Sequence, residues 1–556
     1  MPPRENRFLV AFLGSCITIV VPLILAGGAH ANVAVKPPFA SSMVLQREMA
    51  VPVWGTASSG EQISVSIASQ SKTVATPSSG KWTVKLDAMP AGGPYTMTVK
   101  GTNTVTLSDV YVGEVWQAAG QSNMDTRLNY TEYPNLAAEI SKANYPLLRY
   151  YTLRQPGKTT TWEVVSPSTA GPLSALAYFF GKEIQQKTGM AVGLVVTAVG
   201  GTTIASWLDP ATLSAHPEIT NGDRGGMWNS WVAPVVGYAL RGTIWIQGEQ
   251  NANASDSPSY GQRFNWLIQG WRAAWGQGDF PFIFAQLSNT NAMQADANNT
   301  SYIAAVREGQ RMALATPGTA MSVNLDIGSA GSWHFPNKPE AGHRLALPAR
   351  AQVYGEPALV YSGPLYRSKS ISGNKVTLTF DHVGGGMVSR DGGPLKGFAI
   401  AGATGAWVWG DATISGNTVV VSSASVAAPT RVRYAWGDNP VSSLYNKEEL
   451  PAASFTTESP DLSPPAAAGT GGAGGGGVSA TGGRAGDGSG GAAGGGGGVN
   501  TGSSGGAIGS GGGEAGATGA GPTGGAGGTF PDSGSGGRDK DSGDPGVGRS
   551  GGATGT

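Results

Sequence analysis

A mostly parallel α/β domain flanked by two small β modules is the architecture this chain predicts. Two observations carry it. Apolar runs of strand length alternate with helix-period stretches from Gly113 to about Tyr354, and such alternation implies a mainly parallel sheet covered on both faces. Short alternating runs split by Gly and Pro turns fill the segments on either side. A third observation points to function: polar clusters follow the apolar runs of the middle segment directly, and α/β enzymes bind their ligands at the C-terminal tips of strands.

The N-terminus, 1–31, reads as an export signal. Arg4 and Arg7 form a basic start, Phe8 to Leu25 is apolar, and Ala29-His30-Ala31 is a small-residue cleavage site. The alternative is a membrane anchor, since the apolar run approaches spanning length. Pro22, Gly27 and Gly28 favour removal, so no stable membrane insertion is expected afterwards, and a secreted, periplasmic or cell-surface location is. Cys16 is the one cysteine and leaves with the signal, so no disulfide, thiol nucleophile or cysteine metal ligand is expected.

Residues 32–112 read as the first β module, with Val51–Gly55, Ile63–Ile67 and Tyr95–Val99 as strands between turns at Gly80 and Gly92-Gly93-Pro94. Within 113–355, Leu176, Phe179, Phe180 and Ile184 recur at helical spacing and Gly189 stops the helix. Val192–Val199 is a buried strand and Ile244–Ile246 a short one. Phe264, Leu267, Ile268, Trp271 and Trp275 mark an amphipathic helix. Strand Phe282–Leu287, helix Ile303–Ala315, strand Met321–Leu325 and helix Pro339–Tyr354 follow. Short strands return in 356–458, as in Lys375–Phe380 and Thr418–Val421. The last segment, 459–556, is mostly Gly, Ala, Ser and Thr, which buries too little apolar surface to offset chain entropy and reads as disordered.

At 556 residues the chain predicts three or four units. Its formal net charge of +0, with 13% charged residues, gives no sign of a polyanion-binding or polybasic membrane surface. No nucleic-acid partner is expected, and a neutral or polymeric substrate fits better.

Ser122 follows the apolar run Val115–Ala119 and Gly120. A serine hydroxyl is a poor nucleophile until a base takes its proton, so a histidine is required. The chain has five. His30 lies in the signal, His216 in an irregular stretch, His343 inside a predicted helix and His382 in the second β module. His334 follows the strand Met321–Leu325, at the same sheet edge as Ser122, and is the expected base. Gly200-Gly201-Thr202 after a buried strand lets backbone approach a ligand and expose an N–H; the alternative is an ordinary turn. Gln247, after Trp245-Ile246, is either an oxyanion donor or a buried structural amide. Together these residues describe an acyl-transfer site, with the N–H groups of Ser122 and Gly201 and the Gln247 amide as oxyanion donors. No metal or cofactor is called for.

The chain resembles the sialate O-acetylesterase family, a branch of the SGNH hydrolases. The resemblance rests on Gly113-Glu114-Val115-Trp116 with Gly120-Gln121-Ser122-Asn123-Met124, on Gly200-Gly201-Thr202 with Ser206-Trp207, and on Trp245 to Asn251. His334-Phe335-Pro336-Asn337-Lys338 with Gly342-His343-Arg344-Leu345-Ala346 completes it. Met43 to Arg47 with Val53-Trp54-Gly55, and Arg433 to Trp436 with Leu444-Tyr445-Asn446, match the flanking modules. The resemblance implies an SGNH-like α/β/α sandwich between β-sandwich-like modules. It also implies an exported esterase that removes acetyl groups from sugar hydroxyls without a metal, with Ser122 as nucleophile, His334 as base, and Gly201 and Gln247 as oxyanion donors.

One departure stands out. Related hydrolases often carry an Asp two or three residues before the histidine, where this chain has Gly331 and Ser332. Glu249 and Asp326 are the substitutes to test, and a backbone carbonyl is the third option. Trp207, Trp228, Trp231 and Trp333 are candidate sugar platforms, Trp207 and Trp333 foremost, with core packing as the alternative. The resemblance implies as substrate acetylated sialic acid or an acetylated plant polysaccharide such as xylan. Readings from other classes are a carbohydrate-binding surface protein without activity and a glycosidase using Glu249 and Asp326.

Overall fold

The computed structural model describes residues 32–153 and 161–462. The expected signal 1–31 and nearly all of the glycine-rich segment lie outside the described residues. The strand that organises the fold is β1 (Thr104–Gly120). Its first half pairs antiparallel with Gly92–Lys100 and parallel with Val44–Gln46 in the N-terminal module. Its second half is the centre of a parallel sheet. Burial alternates up to Tyr111 and becomes continuous from Val112 to Gly120. That change marks the passage from a sheet with one wet face to one covered on both. The expected domain boundary at 112/113 therefore falls inside one continuous strand.

The remaining strands of this part are β2 (Tyr145–Thr152), β3 (Trp162–Val165), β4 (Val192–Ala198), β5 (Gly242–Ile246), β6 (Phe282–Gln286) and β7 (Thr319–Val323). Their spatial order is β3-β2-β4-β1-β5-β6-β7. All neighbours are parallel except the edge strand β3, which is antiparallel to β2. Strands β2 to β4 lie on one side of β1 and β5 to β7 on the other, so a topological switch point lies at its C-terminal end, where α/β sheets open a crevice.

Helix α1 (Ser122–Asp125) is a single turn. The long helices are α2 (Ala175–Thr188), α3 (Tyr260–Trp275), α4 (Tyr302–Met312) and α5 (Lys338–Gln352). Ser174 caps α2 by accepting from the Ala177 N–H, and Gly189 ends it at φ +68°. The period-2 alternation of the strands sorts their side chains into two cores. Leu194, Ile244, Ile246 and Ile283 pack with Leu176 and Phe180 of α2 and Leu345 of α5. Val195, Trp245, Phe282 and Phe284 pack with Phe264, Leu267 and Trp271 of α3 and Val306 of α4. Each such fully buried side chain contributes roughly 1.5–3 kcal/mol.

The C-terminal module holds an antiparallel sheet of Leu365–Ser372, Lys375–Asp381, Thr418–Ser422 and Asp411–Ser415. Arg307 of α4, fully buried, joins this module to the sheet. It donates to the carbonyls of Leu287, Ser288, Gly437 and Asp438.

Glu114 shows that a residue in the most recognisable motif has structural work. Its side chain is fully buried and receives Arg47, Arg241 Nε at 2.7 Å and the Tyr354 hydroxyl at 3.0 Å. Tyr354 also accepts from Trp116 Nε1 at 2.7 Å. Removing the carboxylate leaves the largely buried Arg47 and Arg241 with only the exposed Glu48 as a shared counter-charge. Glu114→Ala is expected to lose about 3–5 kcal/mol, read as a lower midpoint in thermal or urea unfolding.

Candidate active site

Strand β1 delivers Ser122 through a turn that only glycine fits. Gly120 has φ +135°, and a Cβ there would lie 2.0 Å from the Ile246 carbonyl oxygen. The turn is locked on both sides. Gln121 N–H donates to Ile246 O at 3.0 Å, and Val199 N–H donates to Gly120 O at 3.0 Å. The Gln121 side-chain oxygen accepts from Gly248 N–H at 3.2 Å. Ser122 is left half-buried at the first position of α1.

His334 arrives from the other end of the sheet, on the loop between β7 and α5. Three successive carbonyls of that loop are held by side chains from three different segments. Thr290 Oγ1 donates to Ser332 O at 3.1 Å, Asn123 Nδ2 to Trp333 O at 3.0 Å, and the Tyr133 hydroxyl to His334 O. Ser332, one of the two positions where an orienting Asp was sought, accepts from the His334 backbone N–H at 3.0 Å. It orders the loop rather than the ring.

Ser122 and His334 wall one cavity of about 330 Å³, with Asp125, Arg127, Asn129 and Tyr130 among its other lining residues. No hydrogen bond joins the Ser122 hydroxyl to the imidazole, and the ring makes none to any other described residue. Such bonds are commonly long before substrate binds. Burial, and next the charge of Lys338, push the His334 pKa down, against a smaller upward pull from Glu132.

The two carboxylates named as orienters are engaged elsewhere. Asp326 is clamped by Arg344 at 2.6 and 3.1 Å. Glu249 accepts from Asn123 Nδ2 at 2.5 Å, and its second oxygen is buried with no partner. Neither bonds to the His334 ring, although one oxygen of Glu249 is left without a partner. Among the described residues, neither expected carboxylate nor a backbone carbonyl bonds to the ring.

The expected oxyanion donors divide. The N–H groups of Ser122 and Gly201 donate to no described acceptor. Gly201 turns at φ +71° with open space where a side chain would be, and the backbone of Gly200 lies against Ser122, a Cβ there being 3.4 Å from the Ser122 Cβ. Gln247 needs correction. It is fully buried, and its amide donates to Thr202 O at 3.0 Å and Asn251 Oδ1 at 2.7 Å while its oxygen accepts from the Tyr260 hydroxyl. Both N–H protons are spent, so the buried-amide alternative holds and Gln247 braces the Thr202 turn. Trp207 is corrected likewise. It is 0% exposed, with Nε1 on Thr202 Oγ1 at 2.9 Å, and belongs to the core. Trp333, beside His334, is 40% exposed and stands free for a ligand.

Several residues at the site carried no role in the sequence reading: Arg127, Tyr130, Tyr133, Asn123 and Lys338. The last two sit inside quoted motifs, so their positions were visible while their partners were not. Arg127 is exposed, and its guanidinium has no ion-pair partner among the described residues. Among the described residues no helix is long and apolar enough to cross a membrane.

A family model described as carbohydrate esterase, sialic acid-specific acetylesterase, matches residues 112–348. Sialate O-acetylesterase from Homo sapiens is 27% identical over 409 residues, 63% of this chain and 77% of that protein. The Rattus norvegicus protein of the same name is 28% identical over 511 residues, 74% of this chain and 92% of that one. A carbohydrate acetylesterase from Xanthomonas citri superposes with a TM-score of 0.72 at 37% identity, covering 77% of this chain and 99% of that one.

Proposed function

Because the chain belongs to the sialic acid-specific acetylesterase family of carbohydrate esterases and is thus a carboxylic ester hydrolase, we propose that it cleaves acetyl esters on sugar hydroxyls by a Ser122–His334 acyl-enzyme mechanism. One observation carries this reading: residues 212 positions apart (334 − 122) wall the same cavity at the C-terminal ends of the parallel strands. Ser122 Oγ attacks the acetyl carbonyl while His334 accepts its proton. The negative charge that develops on the carbonyl oxygen is met by the N–H groups of Ser122 and Gly201. Collapse of the tetrahedral intermediate expels the sugar alkoxide, which takes the proton from His334. Water, activated by the same imidazole, then releases acetate and restores the serine. The imidazole works without a carboxylate partner, held by its backbone anchors.

Arg127 in the cavity wall, with no ion-pair partner among the described residues, favours an acid sugar such as sialate, whose carboxylate a guanidinium binds as a fork, and Trp333 offers an apolar face to the ring. The basic-then-apolar N-terminus supports export. A glycosidase using Glu249 and Asp326 is disfavoured, because both carboxylates are engaged in buried contacts away from the cavity. The test is acetate release from O-acetylated sialic acid and from acetylated xylan. A preference for the sialate supports the acid-sugar reading, and a preference for xylan replaces it with the plant-polysaccharide one.

The imidazole must be neutral to act, and burial with the Lys338 charge lowers its pKa. The acid limb of kcat/KM is therefore expected below the usual histidine range, with activity retained in mildly acidic buffer. An acid limb at or above the ordinary value, measured on either substrate, would contradict the assignment of His334 as base.

A further inference from the structure

Behind the Ser122–His334 pair lies a buried polar cluster that the steps above leave idle. Lys338, the first residue of α5, is completely buried. Its Nζ donates to Asn123 Oδ1 at 2.5 Å and stands 3.7 Å from the Phe335 ring centroid. The Asn123 carboxamide, also completely buried, donates from its other end to Glu249 Oε1 at 2.5 Å and to Trp333 O at 3.0 Å. Glu249 Oε2 completes the cluster with no partner of its own. Taking such groups out of water costs several kcal/mol per ion, and apolar packing at such sites is often as stable or more so. Stability alone therefore gives no reason for an ammonium here.

The connectivity does give one. Asn123 follows the nucleophile in the chain, and Trp333 precedes the base. A single carboxamide thus ties together the backbones that carry Ser122 and His334. An ammonium donates and never accepts, so Lys338 dictates that the Asn123 oxygen faces α5 and that its NH₂ faces Glu249 and the Trp333 carbonyl. We propose that Lys338 is a positioning residue of the esterase site, setting the separation of nucleophile and base through Asn123 and placing a positive charge behind the imidazole. This rests on the Ser122–His334 reading.

The charge has a direction of its own. Burial pulls the Lys338 pKa down to about 7, so the side chain is cationic over the acidic range in which the depressed His334 titrates. There it opposes protonation of the ring. The charged groups bearing on the imidazole are Lys338 of α5 and Glu132 of the segment before Tyr133. Asp125, Arg127 and Tyr130 share its cavity, and Glu249 lies across Asn123.

The test compares full-length wild type, Lys338→Met, Lys338→Gln and Ser122→Ala by kcat, KM and the pH dependence of kcat/KM. Met removes charge and donor together. Gln is shorter but keeps an N–H donor, is neutral, and carries the same readouts if the Met variant does not fold. The expected result for Met is a kcat loss of about 100-fold, the scale of an ångström-level misplacement. KM should stay within about threefold, and the acid limb should move to higher pH. Gln should recover part of kcat yet keep the displaced acid limb. Wild-type kcat in both variants overturns the proposal, as does a kcat loss with the acid limb unmoved, which would mark Lys338 as merely structural. Residual wild-type activity in Ser122→Ala would instead overturn the Ser122–His334 reading.

Discussion

Acetate release by Ser122→Ala is expected to fall by about 10⁴- to 10⁶-fold, the range seen when an activated serine is deleted from a hydrolase. The substitution should leave the fold intact. Ser122 is half-buried, and its hydroxyl has no hydrogen-bond partner among the described residues, so its loss strands no buried donor and should change stability by less than about 0.5 kcal/mol. A large kinetic effect with an unmoved melting temperature separates a nucleophile from a structural serine. Retention of more than about a tenth of the activity would require a different nucleophile. Because Glu249 and Asp326 are both tied to buried partners, that nucleophile would have to be sought outside the two carboxylates the sequence suggested.

Gly120→Ala is expected to prevent folding rather than slow catalysis. A Cβ at Gly120 meets the Ile246 oxygen at 2.0 Å and the Ile246 carbon at 2.8 Å. Both belong to the backbone of the neighbouring strand β5, which cannot retreat without breaking the ladder that holds it to β1. Strain from φ +135° adds to the clash. A cost above about 4 kcal/mol follows, visible as loss of soluble protein or of a cooperative unfolding transition. Gly201→Ala is the control. It also has positive φ, but open space surrounds it, so only the left-handed backbone penalty of about 1–2 kcal/mol applies. A folded, normally stable Gly120→Ala protein would show that the β1–β5 crossing is looser than described.

Local patterning made much of the architecture legible. The helix stop at Gly189, the strand after it and the amphipathic helix ending at Trp275 match observed elements to within a few residues, because each is dictated by short-range periodicity and by a glycine free to take positive φ. The boundary at 112/113 shows the limit. The change of hydrophobic grammar there is real, but it records a change in what covers the strand and not a break in it. The motif around Ser122 shows another limit. Glu114, Trp116 and Ser122 were quoted together as one signature, yet the first two bind Arg47, Arg241 and Tyr354 in the interior, and Ser122 alone faces the cavity.

By itself the sequence determined the alternation of strands and helices, the two flanking β modules, and the placing of Ser122 and His334 at strand ends. Those depend on residues near one another in the chain. Tertiary structure alone decided the fates of Gln247, expected as an oxyanion donor, of Trp207, expected as a sugar platform, and of Glu249 and Asp326, expected to orient His334; their polar groups instead serve Asn251, Thr202, Asn123 and Arg344. Residue type declares what a buried polar group can bond to, but its partner is chosen by packing between segments distant in sequence. An amide, indole or carboxylate that finds that partner inside the protein is no longer available to the substrate.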